Sequence, residues 1–162
     1  MLTHDALKER LSYDPNTGVF SYKSPVRGRV TGATAGTVRP DGYLTIILFG
    51  KPYATSRLAW LYVYGKWPNE EIDHIDRNPS NNRIENLRDV SRSQNNCNHR
   101  VRSDSKTGVK GVHFHLASGL WHVTIRSYGK KRSVGYFKNI AEAAEASRAA
   151  EIETHGEFAC QN

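Results

Sequence analysis

Asp73-His74-Ile75-Asp76, then Asn81-Asn82, Asn86-Leu87 and Asn95, place a carboxylate, an imidazole and several amides within one short stretch. Around them Glu71–Ile75 suits a short strand. Residues 76–85 are too polar and Asn-rich for regular structure and form a loop, and 86–90 return as a second strand. Ser91-Arg92-Ser93-Gln94 is a capping box, with Ser91 at N-cap and Gln94 at N3, and opens a helix running to about Arg100. The order is therefore strand, loop, strand, helix. A carboxylate can hold a hard cation through oxygen, and a neutral imidazole can take a proton from water. An Asn can add an oxygen ligand or clamp a loop. Such a set suits hydrolysis of a phosphodiester. Neighbouring residues on a strand point to opposite faces, so the strand must end, twist or bulge where Asp73 and His74 serve one site.

Before this stretch, Thr3 is placed to cap a helix whose Leu7 and Leu11 recur at i, i+4. The turn cluster Asp14-Pro15-Asn16-Thr17-Gly18 leads into a strand at Val19–Tyr22. Pro40-Asp41-Gly42 leads into a strand from Tyr43 to Phe49, and Gly50-Lys51-Pro52 reverses the chain into Tyr53–Thr55. Thr55-Ser56 is the cap candidate for a helix through Tyr64, which Gly65 ends and Pro68 keeps from resuming. The aromatic residues of that helix read as core. Arg27, Arg29 and Arg39 are loop arginines able to meet a polyanion, or simply solvated.

After it, residues 103–108 read as a polar linker. Three short strands follow, Val109–His115, Leu120–Arg126 and Lys131–Phe137, with turns at 117–119 and 128–130. Asn139 caps an alanine-rich helix, Ile140–Thr154, whose small residues let it lie close on the sheet. Alternation turns Trp121, Val123 and Ile125 toward that helix, together with Val112 and Phe114. It leaves His122, Thr124 and Arg126 outward, with Lys110, His113 and His115 on or near the same face.

The net charge of +7 is unevenly spread. Residues 1–99 hold 13 Lys/Arg against 10 Asp/Glu, a net +3. Residues 100–138 hold 9 against Asp104 alone, a net +8, and residues 139–162 hold Arg148 against five Glu, a net −4. A basic excess concentrated among aromatic residues is the footprint of a phosphate-binding surface. No apolar run approaches the ~18 residues of a membrane span, the N-terminus lacks the order of a signal peptide, and Cys97 and Cys160 form no CxxC pair. An intracellular, reducing setting is the plain reading.

The central motif resembles the HNH nuclease family, in the variant where Asp-His opens the motif and Asn replaces the final His. His74, Asn86 and Asn95 stand for its three letters, over roughly residues 43–100. The resemblance implies a ββα-metal fold in which Asp73 and Asn95 bind one divalent cation, Mg²⁺ or another such as Mn²⁺, and His74 is the general base. Asn86 would fix the loop. His99, four residues after Asn95, sits where many sites of the family carry a further metal ligand.

Residues 107–158 resemble the ethylene-response-factor (APETALA-two) type of DNA-binding domain, through Lys110-Gly111-Val112, Trp121–Arg126, Gly135-Tyr136-Phe137 and Glu142-Ala143-Ala144. This implies DNA contacts from Lys110, His113, His115, His122, Thr124, Arg126, Lys131 and Ser133. The plant pattern carries arginines where His113 and His115 stand.

Together these expectations describe an α+β chain. N-terminal β-hairpins and a nuclease domain occupy 1–102 (core 43–100), a linker 103–108, and a three-stranded antiparallel sheet packed on one helix 109–162. The function expected is that of a site-specific DNA endonuclease, similar to free-standing phage homing endonucleases. It would nick or cut double-stranded DNA, favour the monomer and work in the host cytoplasm. The alternatives are a non-catalytic DNA-binding regulator with a vestigial nuclease fold, and a protein acting on RNA.

Overall fold

The computed structural model describes residues 1–26, 28–98, 101, 105–127, 129–156 and 159, with the backbone alone at 97 and 127. The expectations placed on Arg27, His99 and Arg100, on linker residues 103 and 104 and on turn residue Tyr128 fall outside the described residues. The fold is α+β, and the chain divides into two compact units, Met1–Val90 and Ser91–Asn162. No helix among the described residues is long and apolar enough to cross a membrane.

In the first unit, α1 (His4–Arg10) is capped by Thr3, whose hydroxyl accepts from the Ala6 amide. Leu7 and Leu11 are both fully buried, although Leu11 already belongs to the next element. That element, β1 (Leu11–Asp14), was not foreseen from sequence. It pairs antiparallel with β2 (Val19–Tyr22) across the expected turn, and β3 (Thr34–Ala35) adds to β2. The turn is held locally: Asp14 Oδ1 accepts from the Asn16 amide and Oδ2 from the Thr17 hydroxyl.

A second sheet has the order β4 (Thr37–Val38), β5 (Leu44–Leu48), β6 (Lys51–Ala54). Its β5–β6 turn centres on Phe49-Gly50, both at positive φ, so Lys51 and Pro52 are already in the ladder rather than in the turn. Strand β6 runs directly into α2 (Thr55–Tyr64). Thr55 and Ser56 therefore lie buried inside the helix, Ala54 takes the N-cap position and no side chain caps it. Gly65 ends the helix in the left-handed conformation, as its sequence suggests.

One apolar core joins these pieces. Leu7, Leu11, Phe20, Ile46, Leu58 and Leu61 are its largest fully buried side chains, and Leu87 extends it to the strand that pairs with Glu71–His74. Each such side chain contributes about 1.5–3 kcal/mol on burial. The N-terminal hairpins and residues 53–90 thus share one hydrophobic nucleus. The unit closes with the two-stranded sheet of β7 (Glu71–His74) and β8 (Leu87–Val90).

The second unit opens with α3 (Arg92–Asn98), which begins as the capping box requires. The Gln94 amide donates to Ser91 Oγ (3.3 Å), and Gln94 Oε1 accepts from the Ser91 amide (2.8 Å). A three-stranded sheet follows, in the order β11 (Lys130–Phe137), β10 (Leu120–Ser127), β9 (Val112–His115). It is packed on α4 (Ile140–His155). Asn139 caps α4 by accepting from the Glu142 amide at 2.8 Å. Of the six alanines, Ala143, Ala144 and Ala150 are buried with Ser147 and Glu151, while Ala141 and Ala149 face solvent. Val112, Val123 and Ala143 form the buried centre, with Trp121, Val134 and Phe137 against it.

Phe114, expected inward, is 46% exposed and meets Trp121 edge-on, because the buried centre ends at Val112 in that strand. A register shift between Val123 and Thr124 interrupts the β10–β11 ladder on the other side of β10. The Thr124 amide donates to the Gly111 carbonyl, and Gly111 adopts φ +71°. A Cβ at Gly111 would lie 2.3 Å from the Thr124 carbonyl oxygen. Gly111→Ala is expected to lose at least about 1–3 kcal/mol, from positive-φ strain before the backbone clash is counted. Thermal unfolding followed by tryptophan fluorescence measures this, and an unchanged melting curve would show that the contact is not tight.

Candidate active site and nucleic-acid face

The strand carrying the motif stops at His74, so Asp73 and His74 are its last two residues and the chain turns directly after them. The Ile75 amide donates to the Asn86 carbonyl (2.9 Å), and the Arg77 amide turns back to the His74 carbonyl (2.9 Å) with Arg77 at φ +61°. Asp73 and His74 are both nearly inaccessible, at 6% and 5% exposure. Burying a carboxylate and an imidazole requires partners, and the structure supplies them. Asp73 lies directly across the ladder from Arg88, whose Nε and Nη2 donate to Asp73 Oδ2 at 2.8 and 2.7 Å. His74 Nε2 lies 3.2 Å from Asn82 Oδ1, and the Tyr43 ring meets the imidazole edge-on at 5.8 Å.

Asn86 organises the loop between the strands. Its Oδ1 accepts from the Asp76 amide (3.0 Å), and its Nδ2 donates to Asp76 Oδ1 (2.9 Å) and to the Asn81 carbonyl (2.8 Å). Asp76 begins the loop turn. It accepts from the Asn78 amide and from Asn81 Nδ2 as well. Burial pushes the Asp76 carboxyl upward, but the hydrogen bonds from Asn81, Asn78 and Asn86 outweigh it, with help from His74, and hold it below the ordinary carboxylate range. Asn81 serves the turn, its Nδ2 donating to Asp76 and its Oδ1 accepting from the Arg83 amide, whereas Asn82 is 2% exposed and faces His74.

Sequence reasoning missed Asn82, Arg88 as the partner of Asp73, and Tyr43. Arg88 was legible in principle, since pairing the two strands in register places it opposite Asp73. Nothing in the spacing points to Tyr43. Asn95 lies on α3 in the second unit, where its amide donates to the Ser91 carbonyl. His99 is outside the described residues.

The carboxylate that the family likeness assigns to a cation, Asp73, has its Oδ2 engaged by Arg88. No group of three His, Cys, Asp or Glu able to hold a metal gathers among the described residues, so a nitrogen–sulfur cage of the zinc type is not formed by them. Asp73 offers a buried carboxylate, and Mg²⁺-type sites commonly take one or two carboxylates and complete their shell with water and phosphate oxygens.

On the outer face of the second unit's sheet, His113, His122 and Tyr136 form one row across all three strands. The His122 and Tyr136 rings stack at 4.2 Å and 5°, His113 meets His122 edge-on at 4.9 Å, and His115 meets Tyr136 at 5.4 Å. Ser133 Oγ lies 2.8 Å from His122 Nε2. Thr124 pairs across the strands with Ser133, and Arg126 with Lys131. Desolvation, and the neighbouring His113, Lys131 and His115, lower the His122 pKa, so this imidazole stays neutral until the solution is more acidic than usual. Tyr136 belongs to this face as well, since alternation with Phe137 and its pairing with His122 place it there.

Lys110 Nζ lies 3.4 Å from Glu151 Oε2 of α4, and Gly111 after it is at positive φ.

Asn86→Ala is expected to cost about 1–3 kcal/mol, because it leaves the Asp76 amide and the Asn81 carbonyl without their buried partner. The contribution of Asp76, whose folded pKa lies below its unfolded value, is fully present above the ordinary carboxylate range and is lost as pH falls through the lowered folded value. Urea unfolding at neutral and acidic pH tests both, and a mutant with wild-type stability at neutral pH would contradict the clamp.

A protein-family model described as HNH endonuclease matches residues 53–97. The chain is also 30% identical, over 88 residues, to Protein 3.8 of Escherichia phage T7, a match covering 54% of this chain and 72% of that protein. No solved structure matches the chain. With a strand, an Asn-clamped loop and a second strand built around Asp73 and His74, the chain carries an HNH endonuclease domain and belongs to the HNH endonuclease family.

Proposed function

We propose that the chain is a site-specific, homing-type DNA endonuclease, with His74 as general base and one divalent cation. The observation that carries this reading is the placement of Asp73 and His74 side by side at the end of β7, with both side chains bonded and a loop locked by Asn86. His74 removes a proton from the water that attacks the phosphodiester, and a neutral imidazole is the usual state for that task near neutral pH. Asp73 and Asn95 are the oxygen ligands assigned to Mg²⁺ or Mn²⁺, with His99 as a further candidate. When bound, such an ion supplies positive charge to the phosphate and the leaving oxygen. Asn86 touches neither; it keeps the loop closed beneath His74.

Targeting is assigned to the sheet of the second unit, in the manner of the ethylene-response-factor domain, with 1–102 as the nuclease part and 109–162 as the DNA reader. Lys110, His113, His115, His122, Thr124, Arg126, Lys131 and Ser133 are the contacts to double-stranded DNA, and the row of His113, His122 and Tyr136 supports that choice of face. His122 stacks on Tyr136 and, with its pKa lowered, offers a neutral donor and acceptor rather than a charge. Arg126 and Lys131 carry the cationic part. The protein acts as a monomer in the cytoplasm of the host cell.

Incubation with supercoiled plasmid tests the catalytic reading. Metal-dependent nicking or linearisation is expected from the wild type, reduced by about 10²–10⁴-fold in His74→Ala. Cleavage without added metal, or full activity in the mutant, would defeat it. For targeting, Arg126→Ala is expected to weaken binding to a cleaved site by about 1–3 kcal/mol, and to random DNA by less. Equal losses on both would reduce Arg126 to a phosphate contact.

A further inference from the structure

Asn82 is buried at 2% exposure between the catalytic imidazole and the N-terminal hairpin, and its amide can be oriented in one way only. Its Nδ2 donates to the Ser80 carbonyl (3.3 Å). Rotating the amide by 180° would set two carbonyl oxygens against each other. Asn82 Oδ1 therefore faces His74 Nε2 as an acceptor, and Nε2 must carry the proton. In a neutral imidazole the lone pair then belongs to Nδ1.

The backbone of Asn82 is held from the other side by residues far outside the 53–97 family match. Tyr13 of β1 donates its hydroxyl to the Asn82 carbonyl at 2.7 Å, and the Ile84 amide donates to the Pro15 carbonyl at 3.4 Å. Gly18 packs so closely that a Cβ there would lie 2.5 Å from both the Asn82 carbonyl carbon and the Arg83 amide nitrogen.

We propose that Asn82 is a positioning residue which, anchored by Tyr13 and Gly18 of the N-terminal hairpin, holds His74 in the Nε2–H tautomer with Nδ1 as its basic nitrogen. The proposal rests on the reading of His74 as general base and deepens it: β1 and β2 are part of the catalytic apparatus. A tautomer held by a second side chain removes the need to reorient the ring at each turnover, and small misplacements of a catalytic group are costly.

The test uses the full chain, ¹⁵N-labelled and free of metal, at pH 8, where long-range proton–nitrogen correlations distinguish the tautomers. Wild type is expected to show His74 as a single Nε2–H tautomer with a slowly exchanging Nε2 proton. Asn82→Leu loses that signal, and its kcat for plasmid cleavage falls by roughly 10–100-fold with KM little changed. Asn82→Asp keeps an acceptor oxygen and recovers the signal and part of the rate. Tyr13→Phe keeps the acceptor, loosens its anchor and gives an intermediate loss, and it stands in for Asn82→Leu if that variant does not fold.

An Nδ1–H tautomer in the wild type overturns the proposal. So does Asn82→Leu cleaving at the wild-type rate while His74→Ala is inactive. If His74→Ala itself cleaves like the wild type, the general-base reading falls and the positioning role falls with it.

Discussion

A buried imidazole, carboxylate and pair of amides can exist together only if every one of them is bonded. That constraint governs the first unit. Asp73 is tolerable at 6% exposure because Arg88 is opposite it in the ladder, and His74 because its Nε2 meets Asn82 Oδ1. Asn86 then closes the loop by serving Asp76 and Asn81 at once. Removing any one partner leaves a desolvated polar group, so the site is stable as a network rather than as a set of separate contacts.

The network is not self-supporting. Its loop is too polar to bury apolar surface of its own, and it rests on a core made largely by residues before it. Leu87 ties β8 into the cluster of Leu7, Phe20, Ile46 and Leu58, while Tyr13 reaches from that cluster to the Asn82 carbonyl. The nuclease segment at residues 53–97 thus depends on the hairpin region that precedes it. The second unit follows a different plan. Small residues of α4 let the helix lie close to the sheet, and the opposite sheet face keeps its histidines, Tyr136 and the Arg126–Lys131 pair.

Much of the fold was legible because its signals are local. Thr3, Asn139 and the Ser91–Gln94 box cap their helices through bonds spanning three residues, and such bonds depend on little beyond the neighbouring backbone. The turn at Asp14–Gly18 is likewise tied by its own Asp14. Thr55 misled because its strand runs straight into the helix, leaving no N-cap position for a hydroxyl. Phe114 misled because simple alternation assumes a strand longer and more regular than β9, which the positive φ of Gly111 precedes.

The sequence by itself determined the chemistry available and the order of its elements: a carboxylate, an imidazole and clamping amides on strand, loop, strand and helix, and a basic segment after them. It could do so because side-chain chemistry and local hydrogen bonding are written in adjacent residues. Only the tertiary structure decided which amide serves the imidazole, which cation neutralises Asp73 and which region braces the loop. Those choices depend on contacts such as Tyr13 to Asn82, 69 positions apart, and no local pattern encodes a distance that folding alone removes.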